Sequence, residues 1–307
     1  MMREELKQDE YFVAFLDILG YSNKLKKLSD SDADIYLENI REILTSKHLE
    51  RLKKSITRDF SFKSMDLAEF EFRLFSDNIL IFIKKTSDNN DNLRNCFALL
   101  KIVMSIQKYA FTKKHILLRG GIASGLFKPE QDFVFGKALI RAYELEQLAI
   151  YPRIILEKTE VDFLVNTISE LKDINEKQTL ESLLTDLVVL DNETYFLNFF
   201  SGLFINHDEN AKFSNIFTSR VVVSKSHNAH YTNVDKNILI SMCKENGHYD
   251  NLQQESVSSR NKTIQKLLWL LEYYNICCLT SIKRINLKVN YQIINDPIHH
   301  LPKIVLL

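Results

Sequence analysis

The chain has 307 residues, 45% of them hydrophobic, and its 40 Lys and Arg balance 40 Asp and Glu for a formal net charge of +0. That length and apolar content build one large or two modest folded domains, which excludes a disordered chain. The charge balance excludes a global field that recruits nucleic acid or an anionic membrane, so an anionic ligand has to be held by placed residues.

The polar start MMREELKQDE is unlike a signal peptide. No run of about 18 apolar residues occurs, so the expectation is a cytoplasmic protein without a membrane span. Cys96, Cys243, Cys277 and Cys278 show neither CxxC pairing nor zinc spacing and are read as reduced, in keeping with the cytosol.

YFVAFLDIL is continuously apolar up to Asp17 and predicts a strand buried on both faces. A carboxylate ending such a strand is costly to desolvate unless a cation or hydrogen bonds compensate it. Gly20 turns the chain. SDSDADIYLENIREILTSKHLERLKK then offers Ser and Asp N-caps ahead of Leu37, Ile40 and Leu44 at helical spacing. Two β-type runs, Phe70 to Phe75 and Ile79 to Ile83, flank Ser76-Asp77-Asn78 and predict a hairpin. DNLRNCFALLKIVMSIQKYAF predicts a helix capped by Asp91 or Asn92, with Leu93, Cys96, Phe97, Leu100, Val103 and Met104 on its apolar face.

HILLRGGIASGLF reads as a strand interrupted by Gly120-Gly121, DFVFGKALIRAYELEQLA as a short strand, a glycine turn and a helix, and PRIILEK as a strand. LVVLDNETYFLNFF predicts a hairpin turning at Asp191-Asn192-Glu193. Residues 206–307 read as mainly helical, notably NKTIQKLLWLLEYYNICCL, with a strand at INLKVNYQII. His299-His300 is read as a surface pair, because adjacent side chains of an extended chain point apart.

The order β-α-β-β-α-β predicts an α+β, ferredoxin-like fold: an antiparallel sheet with helices on one face, followed by an extra strand-helix-strand. In that topology Asp17 and Asp77 reach the same end of strands about 4.8 Å apart. Two such carboxylates suit Mg²⁺ or Mn²⁺, and two ions about 3.5–4 Å apart clamp the attacking and leaving oxygens of phosphoryl transfer. The structural alternative is that Asp17 caps a turn and Asp77 is an ordinary hairpin residue. The loop ILGYSN adds the backbone amides of Gly20, Tyr21 and Ser22, and the Ser22 hydroxyl, as partners for a triphosphate.

Taken together, FVAFLDILGYS, FRLFSDNILIFI, LLRGGIASG and FGKALIRAYELEQLAIYPRIIL resemble the catalytic segments of class III nucleotidyl cyclases. The likeness is closer to the pyrimidine cyclases of bacterial Pycsar anti-phage systems and spans residues 11–200. It implies a cyclase catalytic domain over residues 1–205, with 206–307 an extension packed on the same domain. It also implies two ions, Mg²⁺ or Mn²⁺, held by Asp17, Asp77 and the Ile18 carbonyl. The implied reaction is attack of the ribose 3′ oxygen of CTP or UTP on the α-phosphate, giving cyclic CMP or cyclic UMP and pyrophosphate. A homodimer with shared sites is implied as well, together with a separate effector protein that the cyclic nucleotide activates, and no nucleic-acid or membrane partner.

Departures from the purine enzymes accompany the likeness. Arg73 stands where they carry a base-reading lysine; its fork suits a pyrimidine O2 or a phosphate. Ile140 and Glu144 stand where they carry the asparagine and arginine that stabilise the transition state. Arg141, Lys137 and Arg119 are the candidates for the missing positive charge. Arg141 equally reads as an ion-pair partner of Glu144 or Glu146. Lys137 at a helix start is unfavourable for the dipole unless an anion sits there, and Arg119 amid HILLRGG is hard to place as a solvated charge. Two alternatives stay open: a catalytically degenerate cyclase-like domain that binds a nucleotide or partner, and a polymerase-palm-like or diguanylate cyclase enzyme, against which the hairpin FSDN counts.

Overall fold

The apolar run that ends at Asp17 forms β1 (Asp9–Ile18) at the centre of a sheet. It reads as continuously apolar because both its faces are covered. Phe12, Ala14, Leu16 and Ile18 point into one core cluster and Val13 into another on the opposite face, the period of two that a strand dictates. In this computed structural model the described residues are 9–45, 70–131, 133–191, 193–200, the helical residues 266–267, 269–270 and 273–274, and 304–306.

After β1 come α1 (Tyr21–Leu25), α2 (Asp30–Thr45), β2 (Glu71–Phe75), β3 (Asn78–Lys84), α3 (Asn89–Lys114) and β4 (Leu118–Pro129). The strands lie in the order β2-β3-β1-β4, every neighbouring pair antiparallel. This is the ferredoxin-like core expected from the sequence. Then follow β5 (Val134–Gly136), α4 (Lys137–Leu148), β6 (Ile154–Leu156), α5 (Lys158–Glu170), α6 (Ile174–Leu187), β7 (Val188–Asp191), β8 (Thr194–Leu197) and β9 (Ile304–Leu306). β6 joins β4 in parallel, and the sheet continues antiparallel through β8, β7 and β9.

Several local expectations are corrected. The helices do not all lie on one face: α2, α3, α5 and α6 pack over one side, while α4 covers the other with Ala138, Ala142 and Leu145. α3 is capped by Asp88, which accepts from the N–H groups of Asn90 and Asp91, rather than by Asp91 or Asn92. Asn92 instead exchanges two hydrogen bonds with the Thr86 backbone. Along α2 the buried face is Tyr36, Ile40 and Ile43, and Leu37 is exposed; the side chain of Leu44 is outside the described set. Met104 is only partly buried.

β4 runs unbroken through Gly120-Gly121, because the glycines serve close packing rather than a turn. α5 and α6 fall where no helix was anticipated, although Val161, Leu164, Ile168, Leu180, Leu184 and Leu187 recur at helical spacing and Asp173 caps α6. Cys96 is buried and free. Cys243, Cys277, Cys278, His299, His300 and the INLKVNYQII segment lie outside the described residues.

The helical residues near Trp269 dock on the far half of the sheet. The Trp269 ring stacks on Tyr151 at 5.0 Å, and Tyr273 donates its hydroxyl proton to Asn198. Arg153 lies over the Tyr151, Phe196 and Trp269 rings and pairs with Asp191 at 2.9 Å. No described helix is long and apolar enough to cross a membrane.

Asp186 near the end of α6 gives a pH-dependent prediction. Burial pushes its carboxyl up to about 6, with Lys101 pulling the other way. The unfolded chain therefore loses this proton first, so stability falls as pH rises between about 4 and 6 and stays reduced above that window. Asp186→Asn is expected to stabilise the protein by about 2 kcal/mol at neutral pH and to change little below about pH 4. Thermal unfolding at the two pH values checks this; equal shifts at both contradict it.

Candidate active site

The site begins with strand register. Asp17, the penultimate residue of β1, lies opposite Asn78 of β3 and Arg119 of β4. β2 and β3 are joined by a two-residue turn in which Ser76 takes a positive φ of 57°. The Ile18 N–H donates to the Asp77 carbonyl at 3.1 Å, carrying the β1–β3 ladder into that turn. Asp17 and Asp77 are thereby held at one end of the sheet.

Arg119 lies against Asp17. Its Nε donates to Asp17 Oδ2 at 2.9 Å, while Nη2 lies 2.7 Å from Oε1 of Glu146 on α4. The Arg119 side chain is 21% exposed and that of Asp17 16%, whereas Glu146 is 1% exposed. Gln147 donates to the other Glu146 oxygen at 2.5 Å. Burial raises the Glu146 carboxyl above the usual range; Arg119 opposes this, and the charges of Asp17 and then Asp77 add to it. Three carboxylates and one guanidinium form a single electrostatic cluster.

The glycines make that cluster possible. A Cβ on Gly121 would sit 2.2 Å from the Ala142 carbonyl oxygen, and one on Gly120 would sit 2.5 Å from that of Phe15. α4 therefore rests on the bare backbone of β4, at a depth that lets Glu146 reach Arg119. Glu146 was not anticipated in this role. The available signal was its place on the buried stripe with Ala138, Ala142 and Leu145, where a carboxylate requires a partner.

The loop after Asp17 is tied down by the Leu19 N–H to the Leu117 carbonyl at 2.9 Å. Gly20 turns it with φ 78° into α1, on which Tyr21 packs against Tyr36 and Ser22 is exposed. Burial pushes the Tyr36 hydroxyl up to about 12, with Tyr21 and Asp77 adding, so it stays neutral beside the aspartate.

The other basic candidates lie elsewhere. Arg73 on β2 donates through Nη1 to the carbonyls of Glu130 at 2.5 Å and Gln131 at 3.0 Å, fastening the loop between β4 and β5. Arg141 donates to Glu157 at 2.5 Å and to Glu144 at 3.0 Å. Lys137 is exposed at the first position of α4. At about 1.5 Å rise per residue, Arg141 and Lys137 lie about 7 and about 13 Å along the helix from Glu146. Neither has a described contact with Asp17, and those of Arg141 are with Glu157 and Glu144.

Carboxylate oxygens are donors of the kind a hard divalent cation takes; here Asp17 Oδ2 accepts from Arg119 at 2.9 Å and Asp77 Oδ1 from the Asn78 amide at 3.3 Å. Among the described residues no group of three or more His, Cys, Asp or Glu side chains is arranged to hold a metal. A bound ion would therefore complete its shell with backbone or substrate oxygens, the usual situation for Mg²⁺ beside phosphates.

No protein-family model matches the sequence, and a search of curated proteins finds no match. Among solved structures, the chain is similar to the adenylyl cyclase CyaB from P. aeruginosa at 13% identity and a TM-score of 0.40, covering 62% of this chain and 95% of that one. A bacterial light-regulated adenylyl cyclase is similar at 14% identity and a TM-score of 0.30, covering 69% and 96%. At these scores the likeness is one of outline, and it assigns no residue a role.

Proposed function

We propose that the protein is a pyrimidine nucleotide cyclase of the class III type, turning CTP or UTP into the 3′,5′-cyclic monophosphate and pyrophosphate. The observation that supports this reading is the Ile18 N–H bond to the Asp77 carbonyl at 3.1 Å, which ties the turn carrying Asp77 to the end of β1 that carries Asp17. Asp17, Asp77 and the Ile18 carbonyl would hold two ions, Mg²⁺ or Mn²⁺. When bound, these acidify the 3′-hydroxyl and neutralise charge on the triphosphate.

Around them, the Gly20, Tyr21 and Ser22 segment offers backbone amides to the phosphates. Among the described residues, Arg119 is the cation paired with Asp17. Arg73 would meet the base O2 or a phosphate, as its place in the sequence implies, by exchanging its bonds to the Glu130 and Gln131 carbonyls. Lys137 and Arg141 would enter the site of a second copy in a homodimer. Their helix exposes Ile140 at 60% and Tyr143 at 48%, apolar surface suited to such a contact. By the sequence resemblance, the product would act on a separate effector protein in anti-phage defence, in the cytoplasm.

A second reading, a non-catalytic cyclase-like binding domain, is favoured by one observation. The Arg141 guanidinium is already taken by Glu157 and Glu144, and Ile140 and Glu144 occupy the positions of the purine enzymes' transition-state residues. Incubation with ATP, GTP, CTP and UTP in Mn²⁺, with products identified by mass, separates the readings. A cyclic pyrimidine monophosphate is expected. A purine product overturns the base assignment, and nucleotide binding without pyrophosphate release establishes the second reading.

A further inference from the structure

Arg119 has two anionic partners on different elements, Asp17 of β1 at 2.9 Å and Glu146 of α4 at 2.7 Å. Asp17 is the residue on which the proposed cation site depends. Glu146 is almost fully buried, and apart from Arg119 its described contact is the Gln147 amide. A carboxylate in that position is costly without a cation, and Arg119 is the cation it has, as an ion pair in which Glu146 Oε1 makes no hydrogen bond. A guanidinium presents five donors in a rigid fork, so it can release one carboxylate while staying paired with another. A divalent ion approaching Asp17 meets a positive charge already bound there. The two cannot share that carboxylate without repulsion.

We propose that Arg119 is a resident counter-cation that competes with the divalent ion for Asp17, and that Glu146 is the positioning residue that retains Arg119 when the ion displaces it. This rests on the cation-site reading above and adds a gate to it. With Glu146 present, displacement costs Arg119 only one of its two ion pairs. Without Glu146, Arg119 has no second anionic anchor and binds Asp17 more persistently. The Gly121 contact, which seats α4 on β4, fixes the distance over which the exchange takes place.

The test is Mn²⁺ binding to the nucleotide-free full chain, read from the electron paramagnetic resonance signal of free Mn²⁺, with Asp17→Ala as the site control. Arg119→Met is expected to tighten Mn²⁺ about tenfold and Glu146→Gln to weaken it about tenfold. In the Arg119→Met background the Glu146→Gln effect is expected to shrink to about threefold or less, the signature of coupling rather than additive charge. Arg119→Gln, which removes the charge but keeps hydrogen-bonding capacity, reads the same quantity if Arg119→Met fails to fold. Binding that is lost in Asp17→Ala but not tightened in either Arg119 variant overturns the gate alone. So does an undiminished Glu146→Gln effect in the Arg119→Met background. Mn²⁺ bound equally by wild type and Asp17→Ala, or by neither wild type nor an Arg119 variant, overturns the gate together with the cation site.

Discussion

Asp17→Asn is expected to lower cyclic nucleotide formation by at least about a thousandfold while leaving the protein folded. The amide is isosteric, so the ladder to Asn78 and Arg119 survives, but a neutral oxygen is a poor ligand for a hard divalent cation. The folding cost is limited, because Arg119 keeps its pairing with Glu146 at 2.7 Å. Losing one charged hydrogen bond at a partly exposed site costs about 1–2 kcal/mol. Asp77→Asn is expected to act alike, since that side chain lies in a turn. Product analysis by mass, with thermal unfolding on the same sample, checks both effects. Turnover within about tenfold of wild type would remove Asp17 from the proposed metal site.

Gly121→Ala is expected to destabilise the protein by about 3 kcal/mol or more. Its added carbon would lie 2.2 Å from the Ala142 carbonyl oxygen, 2.5 Å from Leu145 Cβ and 3.0 Å from the Glu146 nitrogen. None of these is the far end of a flexible chain, so a rotamer change cannot relieve the clash; α4 must move off β4. That displacement also carries Glu146 away from Arg119, so the site would loosen along with the fold. Urea denaturation reads the loss as a lower midpoint with an unchanged slope. A midpoint equal to that of wild type would mean that α4 is seated less tightly than these distances require.

The contrast between the two positions bears on how much of the molecule could be read in advance. Asp17 was legible because its signal is local: a carboxylate stands at the end of a continuous apolar run, followed by a glycine turn. The hairpin around Asp77, the short strand before Lys137 and the turn between β7 and β8 were legible for the same reason, since strand period and turn chemistry act over a few neighbouring residues. The helices α5 and α6 obey the same local rules and were legible in principle through their leucine spacing. Gly121 was misread as an interruption because sequence does not distinguish a glycine that turns the chain from one that lets a helix approach it.

Sequence by itself therefore determined the order of the core elements, the βαββαβ succession that fixes which strands neighbour one another, and the arrival of two aspartates at one sheet end. Each follows from periodicity and from the small number of ways such elements pack. Tertiary structure alone decided the partners of the charged groups. It set Arg119 between Asp17 and Glu146, spent Arg73 on the Glu130 and Gln131 carbonyls and paired Arg141 with Glu157 as well as Glu144. It also placed α4 on the face opposite α2, α3, α5 and α6. Most of these pairings join residues far apart in the chain, and they depend on helix depth and burial to within about an ångström. Local patterns carry no such information.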